Sequence, residues 1–455
     1  MDKKNGEVLL VAYSFPPSGT SAAQRPLKFV KYLSRYGWKS HVLTALGKGE
    51  PLDPALLNEI GPEVQINEVF SLSPVDLTGM LRDKEKTHSL SRILRIFLKL
   101  LIRAYSIIYY RIVLPDWHSG WIPFALIKGI LIAKKKDIKL IYCHGQPPSS
   151  FLCGYLIKRF CSKPLVIDYD DPWTTAPYFR GLSPLKRKLI ERLEHEILKK
   201  SDRVIFNKPV VQRGVLSKFK DIPGEKTCII TNGFDPDDYK RQDPYGRDER
   251  FTIGYTGKVS DAFCYSPESF FQALYQCIQG GILSIDKVKV IFAGTLSPRY
   301  ERRFHQLIED LQLRNVVEFR GYIPHSATIA LQMHVDVLLL IIETLEGEEM
   351  TRRFAGSLPA KLFEYLGSST PILAIVPPGL EADMVLNIGV GWVARPHDVE
   401  NIRHWLMQIY TSWKAGALRR EPDWREILKY NRITLTEKLA HIFEEVVSTQ
   451  SGSEG

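Results

Sequence analysis

Residues 7–45, "EVLLVAYSFPPSGTSAAQRPLKFVKYLSRYGWKSHVLTA", switch twice between strand and helix patterning. "EVLLVAY" and "KSHVLTA" are apolar runs of strand length, while "PLKFVKYLSRYG" carries its apolar residues at helical spacing. Pro26 suits the first turn of that helix and Gly37 marks its end. A strand, a helix and a strand joined by short links form a βαβ unit, with a parallel pair and a right-handed crossover. Further short strands are expected at "IKLIYCH" (138–144), "PLVIDYD" (164–170) and "DRVIFN" (202–207), with helices at 121–134, 149–160 and 184–200. The second half repeats this grammar in "FTIGYTG", "VKVIFAG", "VVEFRGY", "VDVLLLII", "PILAIVP" and "VGWVARP". Strands of this kind are buried on both faces, as in α/β sheets.

A chain of 455 residues exceeds one ordinary core. The polar stretch "DPDDYKRQDPYGRDER" (235–250) is a composition break. The expected architecture is α/β, with two Rossmann-like, doubly wound domains at 1–240 and 241–415 facing a central cleft. Residues 416–455 are expected to form a helix packing back on the first domain, followed by a polar tail. Ligands of such sheets bind at the carboxyl ends of strands, so the loops that follow strands are the candidate sites.

The net charge of +10 favours an acidic partner: a phosphorylated ligand, anionic lipid or nucleic acid. Nucleic acid is the weakest of these, because the basic residues are dispersed and no zinc module or RNA motif is present. The six cysteines (Cys143, Cys153, Cys161, Cys228, Cys264, Cys277) show no C-x-x-C or zinc spacing and read as reduced, in a cytoplasmic protein. The opening "MDKKNGEVLLVAY" has too short an apolar run for a signal peptide. "SRILRIFLKLLIRAYSIIYYRIVLPDW" (91–117) is long and apolar, yet Arg92, Arg95, Lys99 and Arg103 share one helical stripe. A spanning helix needs about 20 nearly uncharged residues, and this stretch fails that test. Two readings remain: residues 91–113 lie on an anionic membrane surface as a basic amphipathic helix, or their apolar face packs inward.

The loop "SFPPSGTSAAQR" (14–25) contains neither G-x-G-x-x-G nor a P-loop. Gly19 lets backbone N–H groups approach an anion near the helix start, where Arg25 lies; a merely tight connection is the alternative. His144 ends a strand in "IYCHGQPPSS" and is either structural or turned to the cleft. "IDYDDPW" (167–173) holds Asp168, Asp170 and Asp171. Asp-x-Asp can hold a divalent metal, but acids at strand ends also cap helices, and no metal is expected. Gly257 and Lys258 in "FTIGYTGKVS" combine close backbone approach with a point charge suited to phosphate. In "LPAKLFEYLGSSTPILAI" (358–375), Lys361 and Glu364 share a helix face. Lys361 adds charge at the positive helix end, and Glu364 can accept from the vicinal hydroxyls of a ribose. An ion pair is the competing reading.

Several motifs occur in a specific order: the opening stretch, "DWHSGW" (116–121), "DYDDPW", "TNGFDPDDY" (231–239), "RGYIPHSA" (320–327) and "PAKLFEYLGSSTPILAI". Together they resemble glycosyltransferase family 4 enzymes of GT-B architecture, from about residue 7 to 410. "FPP-x-G" resembles a bacterial branch associated with cell-surface polysaccharide and glycolipid assembly. The resemblance implies retaining, metal-independent transfer from a nucleotide diphosphate sugar, with no other cofactor, to a saccharide or lipid-linked saccharide. It places the nucleotide on the second domain and the acceptor on the first. Carried over by position, Glu364 matches the family's ribose-binding glutamate and Lys258, after Gly257, its diphosphate-binding base. Gly19 lies in the loop near the phosphates, and His144 matches a histidine near the transferred sugar. Lys361 is added from helix geometry as a second phosphate contact, and Arg25, Asp168 and Asp171 as acceptor-side or structural residues.

Three departures stand out. The family pattern has two glutamates eight positions apart, and Gly356 occupies the first position, with Glu348 and Glu349 upstream. A second base expected after Lys258 is missing around Cys264, Tyr265 and Ser266, and the first loop has one glycine where many relatives have two. The rival readings are a nucleotide-sugar epimerase, using carboxylates such as Asp168 and Asp171, and a membrane-surface sugar-binding protein with a decayed site.

Overall fold

The computed structural model describes residues 6–45, 51–82, 92–176, 179, 182–240, 248–259, 266–343 and 356–451. The chain forms two compact units, Met1–Thr231 together with Arg432–Gly455, and Asn232–Asn431. The division therefore falls ahead of the polar stretch that marks the break in sequence.

In the first unit, strands β1 (Gly6–Val11), β2 (Trp38–Ala45), β3 (Gln65–Val69), β4 (Ile138–His144), β5 (Leu165–Tyr169), β6 (Arg203–Phe206) and β7 (Thr227–Ile229) form one sheet. Its order is β3-β2-β1-β4-β5-β6-β7, and every pairing is parallel. The helices are α1 (Ser21–Leu33), α2 (Pro74–Arg82), α3 (Arg92–Ile112), α4 (Ile122–Lys135), α5 (Ser149–Cys161), α6 (Pro184–Lys200), α7 (Pro209–Lys218) and, at the far end of the chain, α15 (Arg432–Ser451). The five apolar runs of the first half are β1, β2, β4, β5 and β6. Strands β3 and β7 escape that reading: β3 is largely half-buried or exposed and β7 spans only three half-buried residues.

Alternate residues of each strand serve opposite layers. Leu9, Val11 and Ile141 pack with Phe151 and Ile157 of α5, whereas Val8, Leu10 and Tyr142 pack with Phe29 of α1 and Leu439 of α15. Phe443 of α15 sets its ring edge-on to Trp38 at 5.3 Å. Helix α1 starts at Ser21, so Pro26 lies inside it rather than in its first turn. Small residues at 21–23 extend the helix backwards, and the proline ring then removes one i→i−4 hydrogen bond.

In the second unit, β8 (Phe251–Thr256), β9 (Val288–Ala293), β10 (Val317–Gly321), β11 (Val337–Ile341), β12 (Ile372–Ile375) and β13 (Gly391–Ala394) coincide with the six apolar runs of the second half. Their order is β10-β9-β8-β11-β12-β13, again all parallel. Helices α8 (Glu268–Gln279), α9 (Pro298–Asp310) and α13 (Val399–Lys414) join one core, and α10 (His325–His334), α11 (Ala360–Ser368), α12 (Leu380–Ile388) and α14 (Trp424–Leu428) the other. Strand order reverses between β1 and β4 and between β8 and β11. At such switch points the connections leave in opposite directions and open a crevice.

Helix α3 is different. Its less exposed residues, Arg95, Leu98, Ile102, Ser106 and Tyr109, form a narrow seam, while the rest of the helix exposes many apolar residues together with Lys99, Arg103 and Arg111. Among the described residues that seam packs inward, while most of the apolar side chains of the helix stay exposed. The side chain of Arg92 lies outside the described residues.

Candidate active site

At the switch point of the first sheet, the loop after β1 is tied to its own unit. The N–H of Gly19 donates to Pro51 O at 2.8 Å, and that of Asp53 to Pro17 O at 2.8 Å. The Gly19 amide is thereby committed to a protein carbonyl, contrary to the expectation that it meets an anion. Arg25, in the second turn of α1, is fully buried against Asp168 at the end of β5. Its Nε donates to Asp168 Oδ2 at 2.7 Å and its Nη2 to Oδ1 at 2.9 Å. Arg25 Nη2 also donates to Ile230 O and Nη1 to Thr231 O, both at 2.7 Å, and Tyr142 Oη donates to Asp168 Oδ2 at 2.5 Å. Burial alone would raise the Asp168 carboxyl, but Arg25 and His144 outweigh it and hold the group well below the usual carboxylate range. Of the two roles read in sequence for Arg25 and Asp168, acceptor-side or structural, the buried ion pair fits the structural one.

His144 ends β4 fully enclosed, with Nδ1 3.6 Å from Asp168 Oδ2 and neither ring nitrogen hydrogen-bonded. The expectation that this histidine is turned outward at the sheet edge is corrected by that burial. Asp171 is partly exposed and accepts from Lys208 Nζ at 2.6 Å and from Gln146 Nε2. Asp170 accepts from Asn207 Nδ2, so the three acids of "IDYDDPW" take three separate sets of partners. "DWHSGW" builds the neighbouring corner: Asp116 accepts from the N–H of Ser149 at 2.6 Å, anchoring the start of α5, and from that of His118 at 2.8 Å. Burial pushes the Asp116 carboxyl up to about 6 and the His118 imidazole down to about 4.

The second unit brings its candidates together. Gly257 follows β8 at φ +117°, and a Cβ there would lie 3.0 Å from Lys361 Cε and Nζ. A Cβ on Gly294, after β9, would lie 2.1 Å from Gly257 O, so the two strand ends touch through bare backbone. Lys361, in the first turn of α11, donates from Nζ to Tyr255 Oη at 2.5 Å and sits 4.0 Å from that ring's centroid. Tyr255 Oη in turn donates to Lys258 O at 3.0 Å, while the Lys258 side chain is exposed. Burial pulls the Lys361 ammonium down to about 7, against the opposing pull of Glu364. One turn on, Glu364 Oε2 accepts from Gln332 Nε2 at 3.0 Å, and Oε1 lies 3.6 Å from His325 Nε2. The same Gln332 amide donates to Thr256 Oγ1 at 3.0 Å, which ties Glu364 to the end of β8.

Gly356, at the position of the missing glutamate, has φ +79°, a conformation strained for any residue with a Cβ. The buried Glu381 of α12 accepts from the N–H of Gly356 at 2.9 Å and of Leu358 at 2.7 Å, fixing the entry to α11. Tyr255, Gln332 and Glu381 were not marked in sequence. Glu381 reads there as an ordinary acid in a helix first turn, and Gln332 as one polar residue on an apolar helix face. Glu348, Glu349, Cys264 and Tyr265 lie outside the described residues, and Ser266 is buried with its N–H on Glu343 O.

Two outcomes are expected in urea denaturation. Arg25→Met leaves the Asp168 charge buried and uncompensated, and should cost about 3–5 kcal/mol. Because the folded pKa of Asp168 is depressed, its stabilising contribution is full above about pH 4 and is lost only as pH falls through the depressed value. Glu381→Gln presents an amide to two backbone donors and should cost about 1.5–3 kcal/mol.

The model of Glycosyltransferase Family 4 matches residues 26–238, a little under half of the chain. No curated protein sequence matches. Among solved structures, Anabaena Alr3699/HepE in complex with UDP and glucose is similar at 16% identity and TM-score 0.64, covering 97% of this chain and 100% of that one. A glycosyltransferase from Rickettsia africae ESF-5 is similar at 14% identity and TM-score 0.62, covering 98% of this chain and 99% of that one. WaaG, a glycosyltransferase involved in lipopolysaccharide biosynthesis, is similar at 15% identity and TM-score 0.54, covering 96% of this chain and 99% of that one. With two Rossmann-like parallel sheets and residues 26–238 matching Glycosyltransferase Family 4, the chain has the GT-B fold of these glycosyltransferases.

Proposed function

We propose that the chain moves a sugar from a nucleotide diphosphate donor, with retention and without a metal, to a saccharide or lipid-linked saccharide in cell-surface polysaccharide or glycolipid assembly. The observation that carries this reading is the meeting of Gly257, Lys258, Lys361 and Glu364 at the carboxyl end of β8. A bare backbone turn and two cations suit a diphosphate, and a carboxylate held by Gln332 suits the paired hydroxyls of a ribose. Breakage of the anomeric bond leaves negative charge on the diphosphate, and Lys258 and Lys361 stabilise it. Asp171, partly exposed after β5, stands on the acceptor side. UDP and glucose in the Anabaena structure, and lipopolysaccharide biosynthesis for WaaG, support a nucleotide-sugar donor and a surface-glycan acceptor. The chain works in the cytoplasm, peripheral to the inner face of the cell membrane through residues 91–113. The epimerase reading is disfavoured because Arg25 keeps Asp168 ionised, which leaves it unfit to cycle as an acid.

Thermal shift and hydrolysis with UDP-, GDP- and TDP-sugars should single out one donor; silence with all three would refute the transferase reading. Glu364→Ala is expected to weaken binding of that donor by about 1–3 kcal/mol, measured by calorimetry, as a hydrogen-bonded carboxylate is lost. The donor's diphosphate favours the Lys361 ammonium, so affinity should be level below about pH 7 and fall as pH rises above it. Lys361→Arg should flatten that profile, since a guanidinium stays charged throughout the range.

A further inference from the structure

We propose that the first unit carries a composite bilayer-docking face, made of α3, α4 and the residues between them, whose occupant is an anionic lipid surface. This deepens the membrane association proposed above, extending it from one helix to a platform. Three observations carry it. Ile93 (81% exposed), Ile112 (73%), Phe97 and Leu100 stand out from helix α3. On α4, Phe124, Ile127, Lys128 and Leu131 fall at i, i+3, i+4 and i+7, and all four are exposed, while Ala125, Ile132 and Ala133 on the other side are buried. Residues 70–72 reach both helices. Phe124 meets Phe70 ring to ring at 5.5 Å, and Tyr105 of α3 donates to Leu72 O at 3.2 Å. Phe70 and Leu72 are themselves exposed. Contiguous apolar exposure of this extent marks an interaction surface.

Charge identifies the occupant. Residues 92–136 contain nine lysines and arginines, seven of them exposed (Lys99, Arg103, Arg111, Lys128, Lys134, Lys135 and Lys136), and one acid, Asp116, whose carboxylate is turned inward onto the start of α5. Lys186, at the start of α6, adds a further cation by donating to Tyr110 O at the end of α3. A second copy of the chain would have to set this basic face against itself, since a two-fold interface pairs like with like. A bilayer with acidic headgroups instead takes the apolar residues at the acyl boundary and the cations at the headgroups. No helix among the described residues is long and apolar enough to cross a membrane, so the face lies on the surface. Trp117, exposed in the link between α3 and α4, sits where an indole favours the interface.

The test is flotation of the full chain with phosphatidylcholine vesicles, with and without phosphatidylglycerol. Binding should require phosphatidylglycerol and fall about tenfold or more in Ile127→Glu/Leu131→Glu, which lies outside α3, and likewise in Ile96→Glu/Phe97→Glu. The wild-type blue shift of tryptophan fluorescence on these vesicles should shrink in Trp117→Phe. Undiminished binding of the α4 variant would overturn the composite face, as would dimerisation in sedimentation velocity without vesicle binding. Melting temperature and nucleotide-sugar thermal shift, measured on the same variants, should stay at wild-type values; they separate failure of this face from misfolding and from failure of the transferase reading.

Discussion

Each sheet is parallel and covered on both faces, and this constraint moves polar chemistry to the strand ends. Backbone hydrogen bonds consume the strand interiors, and alternate side chains are spent on two apolar layers. What remains are the loops at the carboxyl edges, and the reversal of strand order decides which of them share a crevice. In the second unit the loop after β8 lies at that reversal, where Gly257, Lys258, Lys361 and Glu364 gather.

The same physics of burial produces opposite results at Asp168 and Lys361. Both lose hydration, which disfavours the charged form. Asp168 meets a guanidinium fork and a phenol and stays ionised, so its role is to hold β5 to α1. Lys361 meets the neutral oxygen of Tyr255, and burial pulls its ammonium down to about 7 against the opposing pull of Glu364.

Much of the fold was legible in the residues. The six runs of the second half became six strands, because continuous apolar runs of strand length have few other uses in a chain of this kind. Strands β3 and β7 were not legible, since neither is a continuous apolar run of buried residues. The pairing of Lys361 with Glu364 on one helix face was visible in their spacing, but that of Lys361 with Tyr255 was not, because a strand and a helix a hundred residues apart give no periodic signal. Helix α3 showed its basic stripe in sequence, while the exposure of its apolar residues emerged only once its single packing seam was known.

By itself the sequence determined two doubly wound sheets, the loops that bear cations and glycines, and the absence of a glutamate at position 356. Local periodicity and residue chemistry suffice for these, since each depends on a few neighbouring residues. Tertiary structure decided that Arg25 and Asp168 are spent on each other, that Gly19 donates to Pro51, and that Glu381 steadies the left-handed turn at Gly356. Those outcomes depend on which polar groups meet across distant segments once water is removed, and an unpaired buried group is too costly to leave to chance.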